Sequence, residues 1–274
     1  MNAHRVAVLQ FPGVNCEIET VRALQRVGLS GELFLWTRAA ESLRDFAAYV
    51  LPGGFSYQDR VRAGALAAKD PMVAVLYEEA ARGKPVLGIC NGAQVLVECG
   101  LVPSGAGVEL ALARNRMPGR SGYQSRWIYT RTEPSPCVFT KHLPKGTMIP
   151  LQVGHGEGRF VSHEKGRITA LKRSGQAPLL YATPAGHVAR AWPDNPSGSD
   201  GALAAVCNET GNVLAMMPHP DRAQSLGALP PSVVGAWHER REAARVEGGA
   251  ALATAPGPGL LLFDGLRRHL EVVQ

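Results

Sequence analysis

The feature that most constrains this chain is a cysteine flanked by glycines in the run Gly88-Ile89-Cys90-Asn91-Gly92. An apolar run from Val86 to Ile89 enters it, and Ala93, Val95 and Leu96 follow at helical spacing. This pattern predicts a strand, a sharp turn and a helix, which is the G-x-nucleophile-x-G form of a nucleophile elbow. The backbone at the apex of an elbow is strained, and the glycines remove Cβ atoms that would clash there.

Cys90 is the candidate nucleophile because the predicted turn places its thiol at the N-terminus of a helix. The helix dipole and the free N–H groups of the first turn favour the thiolate, which is the reactive form. The alternative is a buried core cysteine at the end of a strand. The spacing of the two glycines favours the nucleophile.

Composition limits the class of protein. The chain has 274 residues, of which 45% are hydrophobic, enough for a substantial core. Its net charge of +6 is spread along the chain without a dense Lys/Arg tract, so we expect a mildly basic surface and no nucleic-acid partner. No apolar stretch approaches the roughly 20 residues of a membrane span, and the apolar run near the N-terminus is too short for a secretory signal.

The five cysteines are irregularly spaced and include no C-x-x-C pair. This argues against a disulfide framework and against a zinc site, and it favours a reducing compartment. We therefore expect a cytoplasmic protein with no membrane segment and no metal site.

Apolar runs alternate with helical patterns in the first third of the chain, which predicts an α/β fold: a mostly parallel, flavodoxin-like sheet with helices on both faces. The predicted strands are Val6 to Leu9, Leu33 to Trp36, Tyr49 to Leu51 and Pro85 to Ile89. The predicted helices are residues 17–27, with Ile18, Val21, Leu24 and Val27 on one face, and residues 63–82, interrupted or restarted at Pro71.

The rest of the chain predicts an antiparallel extension of the sheet. Short β-like pieces occur at Trp127 to Tyr129, Met148 to Leu151 and Ile168 to Leu171, and residues 202–217 have the pattern of a hairpin. Residues 227–258 have the composition of an inserted helix and a mobile linker, and a helix over residues 259–270 is expected to dock back. We predict one domain over residues 1–274.

His219 is the candidate base among eight histidines, the others being interpreted as mostly surface residues. It follows an apolar strand and is held between Pro218 and Pro220. In an extended segment residues i and i+2 face the same side, so Asp221 can accept a hydrogen bond from the imidazole Nδ1 and complete a triad. The alternative for this motif alone is a rigid turn; the elbow favours the triad.

An acyl-transfer site also needs donors that stabilise an oxyanion. The N–H of Asn91, which follows the nucleophile, is one candidate. Gly53 and Gly54, at the end of the neighbouring predicted strand, offer a second. An ordinary turn is the alternative for these two glycines.

Three motifs together resemble the class I (triad-type) glutamine amidotransferases: Gly88 to Gln94, Pro52 to Tyr57 and Pro218 to Pro220. Other motifs resemble the PurQ-type glutaminase subunits of phosphoribosylformylglycinamidine synthase, namely Phe11 to Glu17, Gly53 to Asp59, His155 to Phe160, Asn195 to Ser199 and Met216 to Pro220. The resemblance covers about residues 4–226 and 259–271.

This resemblance implies the class I glutamine amidotransferase fold and hydrolysis of L-glutamine to glutamate and ammonia through a Cys90 thioester. It implies that Gln94, Gly156 and Glu157 line the glutamine pocket. The partners would be a PurL-like synthetase and a PurS-like small subunit, and glutaminase activity would be low without them. The synthetase would use ATP and magnesium, with no cofactor in this chain.

The chain departs from the family pattern in three places. Asp221 stands where the family has Glu, and Gln58 stands where it has Gly. Residues 227–258 have no recognised counterpart, and we interpret them as a tolerated loop in preference to a partner contact. Cys16, beside the predicted site, is interpreted as a packed small residue.

Two other functions remain open on the sequence. A cysteine hydrolase or peptidase of the elbow fold would not need Gln94 or a docking surface. A non-catalytic regulatory subunit could keep the fold, but the presence of Cys90, His219 and Asp221 counts against it.

Overall fold

A computed structural model describes residues 4–272, in which thirteen strands form a central sheet of nine strands and two small sheets of two strands each. The strands are β1 (Arg5–Gln10), β2 (Ser30–Leu35), β3 (Ala48–Leu51), β4 (Val86–Ile89), β5 (Ala111–Ala113), β6 (Arg116–Met117), β7 (Arg120–Ser121), β8 (Gln124–Thr132), β9 (Met148–His155), β10 (Arg159–Val161), β11 (Leu179–Ala182), β12 (Leu203–Cys207) and β13 (Val213–Met216). The α-helices are α1 (Glu17–Arg26), α2 (Pro71–Ala81), α3 (Asn91–Glu98), α4 (Arg167–Arg173), α5 (Ala236–Glu247), α6 (Gly249–Thr254) and α7 (Leu260–Val272). Short 3-10 helices are Ala40–Asp45, Ser56–Asp59, Ala67–Lys69, Asp200–Ala202, Pro220–Arg222 and Leu226–Ala228.

The sheet has a parallel half and an antiparallel half, in the order β2-β1-β3-β4-β13-β12-β11-β8-β9. In this spatial order the first five strands, β2, β1, β3, β4 and β13, pair in parallel. The pairs from β13 through β12, β11 and β8 to β9 are antiparallel. Strands β3, β4 and β13 are buried along their whole length, as their continuous apolar runs require in a parallel sheet. The predicted α/β fold with an antiparallel extension is confirmed, including the β12–β13 hairpin.

The predicted new start at Pro71 is confirmed, because α2 begins there and its N-terminus is capped by the Asp70 side chain, but the residues before it form only the short 3-10 helix Ala67–Lys69. One predicted element is wrong in type. The apolar piece Ile168 to Leu171 lies in helix α4, not in a strand. A short apolar run fits either structure, and periodicity alone does not separate them.

Helix α1 forms where predicted, and most of its predicted face packs on the core: Leu24 is buried, and Val21 and Val27 are partly buried. Ile18 departs from the prediction, since it is 45% exposed, and the buried surface extends instead to Thr20 and Ala23. The helix contacts β1, β2 and α7, and this packing, not the apolar stripe alone, decides which residues turn inward.

Residues 227–258 are folded onto the sheet. Helix α5 packs through Trp237 against a small cluster that includes Leu229 and Val233, next to Trp127 and Tyr129 of β8. The Trp237 indole N–H donates to the Met148 carbonyl of β9 at 2.9 Å. Residues 249–254, predicted as a linker from their Ala and Gly content, form helix α6. Helix α7 buries its Leu262, Phe263 and Leu266 side chains in the main hydrophobic core.

Between residues 4 and 272 we find no helix that is both long and apolar enough to cross a membrane.

The packing of the inserted segment generates a stability prediction. We expect Trp237→Ala to lower the free energy of unfolding by about 3 kcal/mol, because it removes a large buried ring and leaves a cavity. Val246 lies on the same helix and is 80% exposed, so Val246→Ala is the matched control. It should change the free energy of unfolding by less than about 0.5 kcal/mol. Urea unfolding measures both, and equal effects of the two variants would contradict the docking of α5.

Candidate active site

The site forms where the carboxyl ends of three neighbouring strands meet. Strands β4 and β13 pair in register, with Ile89 opposite Met216, so Cys90 and the segment leading to His219 emerge side by side. The Cys90 N–H continues the ladder by donating to the Met216 carbonyl at 2.8 Å. Strand β3 lies on the other side of β4 and ends just before Gly53 and Gly54. Ligand sites in open parallel sheets occur at this end of the strands.

Cys90 has the backbone of an elbow apex. Its φ of 50° and ψ of −103° lie outside the regions that L-residues ordinarily occupy, and the residue is buried. The flanking glycines are required by close packing, because a Cβ on Gly92 would lie 1.9 Å from the Leu51 carbonyl oxygen and one on Gly88 would lie 2.6 Å from the Gly92 carbonyl oxygen. The thiol lies 3.5 Å from the Gly154 carbonyl oxygen of β9.

His219 and Asp221 form a buried pair, as their spacing predicts. The imidazole Nδ1 lies 3.2 Å from Asp221 Oδ1 and 3.5 Å from Oδ2, and its Nε2 has no hydrogen-bond partner within the described residues. Burial lowers the pKa of His219, but the interactions with Asp221 and then with Cys90 outweigh it and raise that pKa well above its ordinary value. The pair can therefore hold a proton on the imidazole.

Gly53 and Gly54 form a tight loop against the imidazole. The Gly53 carbonyl accepts the N–H groups of Asn15 and Cys16, each at 3.2 Å. Because a trans peptide points its C=O and N–H in opposite directions, the Gly54 N–H points away from that side. A Cβ on Gly53 would lie 2.5 Å from His219 Cε1, so only glycine allows this approach. Asn91 is the first residue of α3, where a backbone N–H has no partner inside the helix.

A cavity of about 160 Å³ opens beside the thiol. Of the predicted pocket residues, Gly54, Gln94, Gly156 and Glu157 line it together with Cys90. Gln94 is oriented by donating its amide Nε2 to the Glu157 carbonyl at 2.7 Å, which ties α3 to the loop after β9. The remaining lining residues are Phe55, Asp59, Ala63, Tyr123, Gly154 and His155.

The Asn91 side chain connects the elbow to the loop that follows β3. Its Oδ1 accepts the Ser56 N–H at 3.0 Å, and its Nδ2 donates to Asp59 at 3.1 Å and to Gln94 Oε1 at 2.9 Å. Sequence reasoning used only the backbone of Asn91 and missed this side-chain role.

The same loop is strained. Tyr57, Gln58 and Asp59 have φ values of 52°, 60° and 51°, in the left-handed region that favours glycine. This explains why glycine suits position 58, where this chain has Gln.

Cys16 takes part in a polar cluster behind His219. The Arg222 guanidinium donates to Cys16 Sγ at 3.1 Å, and Cys16 is 1% exposed. Among residues 4–272, Cys16, His219 and Asp221 are the only group with metal-ligand spacing, their ligand atoms lying within 4.8 Å of one another. The Arg222 charge in contact with the sulfur opposes a metal cation at that place. Cys16 is buried, as predicted, but it also contacts a charged partner.

His155 is buried, whereas the histidines other than His219 were interpreted as mostly surface residues. It lies at the end of β9, is 3% exposed and lines the cavity. Its Nδ1 is 3.1 Å from Asn115 Oδ1, and Asn115 was also missed. The His-Gly-Glu-Gly motif marked the segment, but the burial of the ring depends on the pairing of β9 with β8, which no local pattern reveals.

Comparisons with known proteins match this geometry. A family model described as a CobB/CobQ-like glutamine amidotransferase domain matches residues 3–244. The chain therefore belongs to this family of glutamine amidotransferases. Within the family, its similarity is to chains named phosphoribosylformylglycinamidine synthase subunit PurQ.

Two such relatives come from Methanothrix thermoacetophila and Symbiobacterium thermophilum. The first is 42% identical, with 97% of this chain and 98% of that chain covered, and the second is 40% identical, with 82% and 91% covered. The first alignment therefore runs across residues 227–258. Among solved structures, that of PurLQS from Thermotoga maritima includes a chain with a TM-score of 0.70 and 29% identity, covering 98% of this chain and 100% of that chain.

The strained loop generates a second prediction. We expect Gln58→Gly to raise the free energy of unfolding by about 1 kcal/mol, because glycine adopts a positive φ without the Cβ clash. Gln58→Ala keeps the Cβ and is the control that should bring no such gain. Urea unfolding of the three proteins measures the difference, and a destabilised glycine variant would be inconsistent with the left-handed backbone.

Proposed function

We propose that this chain is the glutaminase subunit of phosphoribosylformylglycinamidine synthase and hydrolyses L-glutamine to glutamate and ammonia. The main support for the proposal is that the thiol of the elbow, the His219–Asp221 pair and a small cavity all lie at one edge of the sheet. Membership of the glutamine amidotransferases supports the reaction, and the PurQ relatives support the synthase.

The proposed reaction begins with attack of the Cys90 thiolate on the side-chain amide carbon of glutamine. The oxyanion is stabilised by the N–H groups of Asn91 and Gly54. His219 donates its proton to the amide nitrogen, the C–N bond breaks, and ammonia leaves a γ-glutamyl thioester. A water molecule then attacks the thioester while His219 accepts its proton, which releases glutamate and the free thiol. Asp221 holds the imidazole in position and stabilises its charged form.

The cavity favours a single amino acid over a peptide. Its volume of about 160 Å³ is well below the 300–1,000 Å³ of pockets for drug-sized ligands. It is bounded by the 54–59 loop, by α3 and by the loop after β9, and it lies against the buried thiol. These features support glutaminase activity in preference to a peptidase of the same fold.

The ammonia would pass to a PurL-like synthetase, with a PurS-like small subunit in the complex. The synthetase would use ATP and magnesium to convert formylglycinamide ribonucleotide to formylglycinamidine ribonucleotide, and the thioester route needs no cofactor in this chain. The structure of PurLQS from Thermotoga maritima supports these partners. Five free cysteines support a cytoplasmic location.

The nucleophile generates the third prediction. In the complex with the synthetase and the small subunit, Cys90→Ala should abolish glutamine-dependent synthesis, because no thioester can form. Ammonia-dependent synthesis should be unchanged, since it uses only the synthetase. Product formation with each nitrogen source measures both, and Cys99→Ala, outside the cavity, is the control. Equal loss with glutamine and with ammonia would instead mean that Cys90 has a structural role.

The shorter acid generates the fourth prediction. We expect Asp221→Asn to lower kcat for glutamine hydrolysis on the order of 1,000-fold or more, because it removes the charge that orients and stabilises the imidazolium. Asp221→Glu keeps that charge and should stay close to the unmodified chain. Steady-state glutaminase assays of the complex separate the two variants; an active Asp221→Asn variant would remove the carboxylate from the mechanism.

A further inference from the structure

Two carboxylates line the cavity without a strong cationic partner. Glu157 has only Arg114, 3.7 Å away and 85% exposed, as an ion-pair partner within the described residues. Asp59 accepts one hydrogen bond, from the Asn91 amide. Arg60, the next residue along the loop, donates to the side-chain oxygen of Gln58, and Arg62 is paired with Glu98. The cavity therefore presents negative charge that the protein leaves largely uncompensated.

His155 adds an acceptor with a defined tautomer. Asn115 Nδ2 donates to the carbonyls of Gly122 and His155, so its Oδ1 accepts from the Gly158 N–H and from His155 Nδ1. Burial, together with the charge of His219, lowers the pKa of His155 to about 3, so the ring is neutral near pH 7. Its Nε2 is then a buried lone pair with no partner among residues 4–272. Such an atom calls for a donor on a bound molecule.

We propose that Asp59, with Glu157 and His155 Nε2 as further acceptors, binds the α-ammonium group of free glutamine. This inference rests on the proposed glutaminase function and assigns Asp59 as a specificity residue of that site. A primary ammonium carries three N–H donors and one positive charge, which match the acceptors and the charge of the cavity. The strained backbone at residues 57–59 and the Asn91 hydrogen bond hold the carboxylate at the cavity wall.

The titration of Asp59 gives this inference a pH signature. Burial, and then the charge of Glu157, raise the pKa of Asp59 to about 6, while the hydrogen bond from Asn91 opposes the shift. The carboxyl is ionised above that pH and protonated below it. Binding of an ammonium group requires the ionised form, so KM for glutamine should rise as the pH falls through 6. The charged or titratable groups around Asp59 are Glu157, Cys90, His155 and Tyr123 in the cavity, Arg62 beside it, and Arg60, the next residue in the chain.

The test compares glutamine with 5-amino-5-oxopentanoate, the same amide without an α-ammonium, in the complex with the synthetase and the small subunit. Asp59→Asn should lower kcat/KM for glutamine about 100-fold, chiefly through a higher KM. The kcat/KM for the analogue should stay within about threefold of its value in the unmodified complex. The KM of Asp59→Asn for glutamine should also lose the rise below pH 6. Glu157→Gln should also reduce the preference for glutamine over the analogue. Asp59→Glu keeps the carboxylate and should therefore retain more of this preference than Asp59→Asn does.

Glu164→Gln is the matched control, because it removes an exposed acid that does not line the cavity, and it should keep the preference. If Asp59→Asn lowered kcat/KM equally for both substrates, Asp59 would have a structural role and the inference would be overturned. An unchanged preference for glutamine over the analogue would overturn it as well. Absence of glutaminase activity in the unmodified complex would overturn the proposed function and the inference together.

Discussion

The parallel pairing of β4 with β13 is the interaction on which the site depends. It joins two strands that are remote in the chain and sets their carboxyl ends at one level, so that Cys90, on a sharp turn, and His219, between prolines, follow neighbouring strands at the same edge of the sheet. The glycines at 53, 88 and 92 allow the backbones to approach closely enough for this arrangement. Strand β9 completes the site from the far end of the sheet, where the Gln152 carbonyl accepts the His219 N–H at 2.7 Å.

Burial gives these groups their chemical properties. Neighbouring charges raise the pKa of His219 against the effect of burial, whereas burial lowers the pKa of His155 and raises that of Asp59. One imidazole is therefore suited to carry a proton, the other to accept a hydrogen bond, and the carboxyl to respond to a bound cation. The differences in protonation among these two imidazoles and one carboxyl group come from their surroundings.

The sequence predicted what depends on local chemistry. The elbow, the His219–Asp221 contact and the parallel strands follow from glycine spacing, proline brackets and apolar runs. What it missed depends on pairing between distant segments. His155 is buried where β9 pairs with β8, and Ile18 is exposed on a helix whose orientation is set by its packing on β1, β2 and α7. The segment Ile168 to Leu171 was assigned to a strand because a short apolar run is ambiguous, and α6 was taken for a linker because composition does not record the packing around Trp237.

The order of strands in the sheet also has a consequence for biosynthesis. Strand β4 is made early, but its neighbour β13 follows only after β5 to β12 have been synthesised. Until then the hydrogen-bonding edge of an apolar strand stays open, which is a condition that favours aggregation of nascent chains. Closing so long a loop is also entropically slow. The chain thus gains its reactive thiol environment late in folding, when its last core strand is inserted.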